Sequence, residues 1–348
     1  MAFPFFYQLR KFYPRAKITS VCVPWVEGVQ FRKLVDEVVV IRPPLKNSFV
    51  GKIRNLEDFS KRLKVNGGYD LGISLPQSMS SAWLLFRSDV KRRRGIKNEG
   101  RGIFLNEGLE PADESIDIQH RARAYLSLLP DEAKPKWDLN DLFPTRPDNP
   151  LDPLIPGVLS HFIADQYWPG ERIPSPTQPY FILAPGATAD SRRWPLDYFI
   201  QLLRIVQEKT GWMTVVVGGP KEAPLAERLS GIDGIRVLDY TARGPIPSLS
   251  LLFQNAKIAI TNESGLAHVS SLFGTFTQII CGAADPRRTR PIGPGHVQVS
   301  INSVPCWPCE KNYCVQPGEL KYGCLTGTKP EKVWEEIEQG LERLQKIN

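Results

Sequence analysis

The densest group of side chains able to do chemistry lies in the stretch KIAITNESGLAHVSSLFG, from Lys257 to Gly274. Glu263, Ser264, Gly265 and, one turn further on, His268 follow directly on the apolar run Ile258, Ala259 and Ile260. Leu266, Val269 and Leu272 then return at helical spacing, which predicts a buried strand, a break at Thr261 and Asn262, and a helix starting near Ser264. Free backbone N–H groups at such a start, added to the positive end of the helix dipole, make a site for a phosphate. An ordinary strand and helix capped by Asn262 or Ser264 would leave the same signature, and this stretch alone does not separate the two.

Two other clusters carry chemistry. Between Pro76 and Glu107 the chain gathers Arg87, Lys91, Arg92, Arg93 and Arg94, with Lys97 and Arg101 close behind. Each cation near an anionic surface contributes roughly 1 kcal/mol, so the cluster suits a phosphorylated acceptor. The plainer reading is a solvated loop and helix end. No aromatic residues are interleaved to stack on bases, which argues against nucleic acid. Near the end, Cys306, Cys309, Cys314 and Cys324 fall as CxxC, then four residues, then nine. In a reducing compartment four such thiols read as a zinc or iron–sulfur site, with a disulfide or free thiols as the alternatives. Cys22 and Cys281 fall in predicted strands and read as core residues.

The elements that must position these groups alternate strand and helix, the sign of parallel sheets with helices on their faces. Phe3, Phe5, Phe6, Leu9 and Phe12 form the apolar face of a first helix. Strands follow at Ile18–Val23, Glu37–Ile41 and Asp70–Leu75, with a short helix near Phe31–Val35. A sheet of this kind normally begins on a strand, so a first, central strand is expected to be missing from this polypeptide. Prolines accumulate from Ala133 to Pro179, which reads as an interdomain connection with a short helix near Pro156–Ile163. A second series begins at Tyr180–Leu183 and continues through strands at Thr214–Val217, Ile235–Leu238 and Gln278–Cys281. Its helices follow Pro195 and span Ile246–Phe253. Its strands end in loops rich in Gly, Thr, Ser, Asp and Arg, where ligands bind in open α/β sheets. The last helix opens on Thr328, Pro330 and Glu331 and buries Val333, Ile337, Leu341 and Leu344.

A chain of 348 residues fits two domains, and 42% hydrophobic with 23% charged residues describes a globular protein. The net charge of +7 suits an anionic partner. No run of about 18 apolar residues and no signal peptide is visible, which points to the cytoplasm. Neither a P-loop nor GxGxxG occurs, which argues against an ATPase or a nicotinamide enzyme.

The loops APGATADSRRWP and CGAADPRRTRPIGP, the motif TNESGLAHVSSLFGT and the segment PCWPCEKNYC, in this order and spacing, resemble the heptosyltransferases of lipopolysaccharide synthesis, glycosyltransferase family 9. The resemblance implies a GT-B architecture of two Rossmann-like domains facing across a cleft. It places an acceptor domain over 1–165, a linker over 166–178, a nucleotide-sugar domain over 179–329 and a final helix, 330–348, that crosses back towards the first domain. It implies an inverting transfer of heptose from a nucleotide diphosphate, the ADP sugar, to a lipid-linked oligosaccharide at the inner face of the membrane. No cofactor or metal is then required. Carried over position by position, Thr188, Arg192, Glu222, Glu263, Ser264, Gly265 and His268 would bind the donor. Arg192 would neutralise the departing diphosphate, and the basic residues from Arg87 to Arg94 would meet the acceptor. Structural readings stand beside these: Thr188 as a cap, Arg192 as a surface charge, Glu222 as a first-turn acid, His268 as a packed helix residue.

Two departures accompany the resemblance. Glu263 stands where the family usually has aspartate. The family's general base, an aspartate after the first strand, falls before Met1, so the base is unassigned. Either a truncated enzyme or a degenerate member that binds without turnover is then expected. A non-catalytic nucleotide-sugar or anionic-glycan binding protein, or a sugar-nucleotide epimerase, are the competing functions.

Overall fold

The computed structural model describes residues 1–42, 49–65, 68–111, 120–133, 145–146, 149–153 and 164–347. It divides into the units Ala2–Leu139 and Asn140–Asn348. The helix expected near Pro156–Ile163 lies outside the described residues.

In the first unit, α1 (Phe3–Phe12) buries Phe3, Phe5 and Leu9. It packs against α4 (Arg121–Ser127), and the Phe3 ring meets Phe31 edge-on at 5.2 Å. Strands β1 (Thr19–Cys22) and β2 (Glu37–Val40) pair in parallel. The one helical segment between them is a 3-10 turn over Pro24–Val29, not the helix expected at Phe31–Val35. Pro24 sits at its first position, where a proline's fixed φ and missing N–H cost nothing, and Phe31 instead closes a turn with Leu34. Helix α2 (Phe49–Val65) was not expected; its Phe59 and Leu63 meet Leu84 of α3 (Met79–Arg87) in a small core. Among the described residues a second parallel sheet, β3 (Leu71–Ile73), β4 (Arg92–Ile96) and β5 (Glu107–Leu109), is separate from the first. The basic run is thus a central strand, not the loop or helix end that its charge suggests.

The second unit is built on six parallel strands in the order β10-β9-β8-β11-β12-β13. These are β8 (Tyr180–Ala184), β9 (Met213–Val216), β10 (Val237–Asp239), β11 (Ala259–Asn262), β12 (Thr277–Ile280) and β13 (Val297–Ser300), after a short hairpin of β6 (Thr145–Arg146) and β7 (Asn149–Pro153). Every residue of β8, β11 and β12 is buried, as expected of parallel strands covered on both faces. Thr261 and Asn262, expected to break the strand, belong to it and are fully buried.

Helix α5 (Leu196–Thr210) follows Pro195 and presents Phe199, Leu202, Leu203 and Val206 to the sheet. It ends at Gly211, whose φ of 68° no side chain would favour. Helices α6 (Ala223–Ser230), α7 (Ser250–Gln254), α8 (Gly265–Leu272) and α9 (Pro286–Thr289) link the remaining strands, and α10 (Gly323–Thr326) follows the last of them. The last, α11 (Pro330–Ile347), lays Val333, Trp334 and Ile337 on this same core, against α5 and β13.

The Arg92 guanidinium, 2.5 Å from Glu107, holds that carboxyl below the usual glutamate value, with Arg94 adding to the effect. A depressed native pKa contributes stability above the unfolded value and loses it as pH falls through the native one. Denaturant stability of the first unit is therefore expected to fall as pH drops below the usual glutamate range, and Glu107→Gln to flatten that dependence while lowering stability at neutral pH. An unchanged pH profile in the variant would rule this out.

Candidate functional site

In the second unit the chain runs outward from β8 through β9 to β10, then returns to the other side of β8 with β11. The carboxyl ends of β8 and β11 therefore flank the point where strand order reverses, the crevice in which open α/β sheets bind ligands. Asn262, the last residue of β11, fixes both ends of the loop leaving β8. Its Nδ2 donates to the Pro185 carbonyl (2.5 Å), and its Oδ1 accepts from the Trp194 N–H (3.1 Å). Trp194 is itself buried, with Nε1 donating to the Thr328 carbonyl (2.9 Å).

Held this way, the loop delivers Arg192 to Glu263, with Nε 3.5 Å from Oε2. The Thr289 hydroxyl donates to the other carboxylate oxygen at 2.9 Å. Glu263 begins the turn into α8, and Gly265 at its first position is exposed. The Ser264 hydroxyl is buried without a hydrogen-bond partner among the described residues. Glu263, Ser264, His268, Cys281, Thr289 and Arg290 line one small cavity of about 10 Å³. That is room for about one water. Burial first, then the charge of Glu263, pushes the Cys281 thiol up, which leaves it a neutral wall of the site.

The other expected donor residues sit on the same strand ends. Thr188 is exposed, and its carbonyl accepts from Arg193 (3.2 Å), which also holds the Ala187 carbonyl (2.6 Å) and Asp190 (2.8 Å). Glu222 accepts from the Gly219 N–H at 2.8 Å, capping its own turn, and lies against Gly186 and Gly218. A Cβ on either glycine would come within 2.7 Å of that side chain, so the glycines let it cross the ends of β8 and β9. Sequence reasoning missed the roles of Asn262 and Thr289. The first was visible only as a cap, and the second sits in CGAADPRRTRPIGP without any spacing that ties it to Glu263.

The five cations expected to meet an acceptor have partners within the first unit. Arg87 makes a bidentate pair with Glu57 (2.8 and 2.9 Å), Lys91 meets Asp70 (2.8 Å) and Arg92 bridges Glu107 and Glu132 (2.9 Å to the latter). Arg93 donates to the carbonyls of Phe104 and Val90 and lies over the Phe86 ring. Arg94, 5% exposed, donates to the Leu128 carbonyl at 2.8 Å.

All six cysteines are free thiols. Cys306, Cys309, Cys314 and Cys324 line a single cavity of about 110 Å³. Burial, then the nearness of Cys309, Cys314 and Cys306, pushes the Cys324 thiol up to about 11. Among the described residues no three His, Cys, Asp or Glu side chains already form a metal-holding group.

An α/β protein with parallel sheets in two units, and with a polar cluster at the switch point of the second, has the architecture of a GT-B glycosyltransferase. Residues 57–319 match the sequence profile of glycosyltransferase family 9 (heptosyltransferase), and the chain belongs to that family. Among its relatives is lipooligosaccharide heptosyltransferase 2 of Haemophilus ducreyi, 23% identical over 98% of this chain and 95% of that protein. Lipopolysaccharide heptosyltransferase 1 of Pseudomonas aeruginosa is 25% identical over 91% and 90%. The fold is similar to that of Escherichia coli ADP-heptose LPS heptosyltransferase II, with a TM-score of 0.70, 19% identity and coverage of 99% and 95%. It is also similar to E. coli heptosyltransferase WaaC solved with ADP, with a TM-score of 0.65, 17% identity and coverage of 97% and 94%.

The loop carrying Arg192 depends on a close approach at Gly282, where a Cβ would lie 2.1 Å from the Ser191 carbonyl oxygen. That oxygen accepts from the Ala283 N–H at 3.1 Å, so it has little room to move. Gly282→Ala is expected to cost about 1–3 kcal/mol in thermal or urea unfolding of the second unit. A cost near zero would show that the two loops are not so tightly seated.

Proposed function

We propose that this chain transfers a heptose, with inversion, from ADP-heptose to the core of a lipopolysaccharide acceptor. The observation that carries the reading is the Ser264 hydroxyl, buried and unpartnered at the exposed N-terminus of α8, with Arg192 3.5 Å from the adjacent Glu263. Buried hydroxyls normally find partners, and the donor phosphates would supply one. Backbone N–H groups from Gly265 onward and the helix dipole favour the same phosphates.

Arg192 faces the diphosphate on which negative charge grows as the glycosidic bond breaks. A fixed guanidinium stabilises that charge more in the transition state than in the ground state. Glu263 and Thr289 fix the guanidinium rather than touch the sugar. Thr188 and His268 would complete the phosphate surroundings, and Glu222 would approach the ribose from the ends of β8 and β9. The acceptor hydroxyl attacks from the face opposite the leaving diphosphate and gives its proton to a general base that is not assigned.

The acceptor side is the first unit. There Arg87 and Lys91 are paired with carboxylates through surface contacts that a phosphorylated acceptor can exchange at little cost. Arg92, Arg93 and Arg94 would act through the placement of β4. Among the described residues no helix is long and apolar enough to cross a membrane; the contact with a membrane-bound acceptor is proposed as peripheral.

The test is incubation with ADP-heptose and a heptose-deficient core, followed by mass and anomeric analysis of the product. Addition of one heptose with inverted configuration is expected, and Arg192→Ala should lower kcat by about 10²–10³. ADP binding without any transfer would replace this reading with that of a nucleotide-sugar binding protein. A second measurement isolates Ser264. Because its hydroxyl has no protein partner to lose, Ser264→Ala should leave the melting temperature unchanged while weakening ADP roughly tenfold. Equal ADP affinity in the variant would move the phosphate elsewhere.

A further inference from the structure

The segment between the end of β13 at Ser300 and the turn at Gly318 contains no helix or strand, yet it is held firmly against the rest of the second unit. Its carbonyls at Lys311 and Asn312 accept from the Ser191 hydroxyl (2.5 Å) and N–H (3.3 Å), and its Glu310 N–H donates to the Ala283 carbonyl (2.8 Å). The Trp307 indole donates to the Gly282 carbonyl at 2.9 Å. A stretch of this length without regular structure has little core of its own and needs a staple. The four thiols converge on one cavity from both ends of the segment: Cys306 and Cys309 at its start, Cys314 in its middle and Cys324 in α10 beyond it. The Tyr322 N–H already donates to the Cys314 sulfur at 3.2 Å, the kind of bond that favours a thiolate. Lys311 lines the same cavity.

We propose that Cys306, Cys309, Cys314 and Cys324 form a structural site for one divalent transition-metal cation of the zinc or ferrous-iron type, bound as a tetrathiolate. Four thiols lose four protons and replace them with one M²⁺, leaving a net charge of −2 that Lys311 partly offsets. Metal–sulfur bonds are about 2.3 Å, so the sulfurs that now ring a cavity of about 110 Å³ must close inward on binding. As they stand, the four thiols share one cavity but are not placed as a metal-holding group, so binding requires that inward movement. Because the segment's carbonyls hold Ser191, closure would also steady the neighbouring Arg192. That last consequence rests on the donor-site reading above, whereas the metal site does not.

The experiment uses the full chain, purified with a non-chelating reductant, stripped and titrated with Co²⁺ while absorbance is followed. The expected result is saturation at one cobalt per chain, with thiolate-to-cobalt charge-transfer and tetrahedral d–d bands, and displacement of cobalt by Zn²⁺ with a rise in melting temperature. Cys309→Ser and Cys324→Ser should each abolish or strongly shift the bands, and Cys22→Ser, in the first unit, should leave them intact. Absence of charge-transfer bands in the wild-type chain overturns the proposal, as do bands that survive in both variants. Should the variants fail to fold, the wild-type titration still decides. Transfer or ADP binding is not part of the readout, so failure here and failure of the donor reading are told apart.

Discussion

Two hydrogen bonds from one buried amide hold the site together. Asn262 is fully buried at the end of β11, with a carbonyl facing its Nδ2 and an N–H facing its Oδ1. The position therefore needs one donor and one acceptor on a short planar group. Aspartate would offer only acceptors to the Pro185 carbonyl and would bury a charge, and leucine would orphan two backbone groups. The two bonds set the entry and exit of the loop from Pro185 to Trp194, leaving the residues between them few ways to run. Arg192 reaches Glu263 because both ends of its loop are anchored one residue before Glu263 begins. The crevice predicted from strand order is thus supplied with an arginine by an amide whose own role is mechanical.

The two units solve the burial problem in opposite ways, and that decides where charge can act. In the second unit largely apolar parallel strands fill the interior, with no charge buried inside these strands among the described residues, and the charged groups of the candidate site stand at their carboxyl ends. In the first unit charge enters the sheet itself. Arg94 is buried in β4 and Arg101 is fully buried behind it, donating to the Pro76 carbonyl (2.6 Å) and the Ser74 hydroxyl (3.0 Å). Burial lowers the affinity of Arg101 for its proton, yet guanidinium stays charged at any ordinary pH. Such groups persist only where carbonyls, hydroxyls and carboxylates surround them, as they do here. Arg94 and Arg101 are therefore internal to the first unit, whereas Arg87 and Lys91 stay at its surface in exposed ion pairs.

This contrast explains what was legible in the residues. Strands such as Tyr180–Ala184 and helices such as Leu196–Thr210 follow from apolar runs and spacing, because in the second unit burial and hydrophobicity coincide. The start of α8 was readable for the same reason, and with it Ser264 and Gly265. The strand at Arg92–Ile96 was not, since three consecutive arginines give no sign of a sheet until Glu107, Glu132, Asp131 and the Leu128 carbonyl are placed around them. Helix α2 was hidden by its many charges, with Phe59 and Leu63 as its deeply buried apolar groups among the described residues. The bond from Thr289 to Glu263 joins loops of two different strands, and no local pattern records it.

The extra methylene of Glu263 acquires a role from the same geometry. One carboxylate oxygen takes the Thr289 hydroxyl and the other faces the Arg192 guanidinium, so the side chain spans from the loop after β12 to the loop after β8. The carboxylate is 10% exposed and would be costly there without both contacts. A shorter aspartate starting from the same backbone would have to give up one partner or draw the loops together, and at Gly282 there is already no room for a Cβ against the Ser191 carbonyl. Length at position 263 and the absence of a side chain at 282 are then two parts of one fit. The extra methylene is taken up between protein groups.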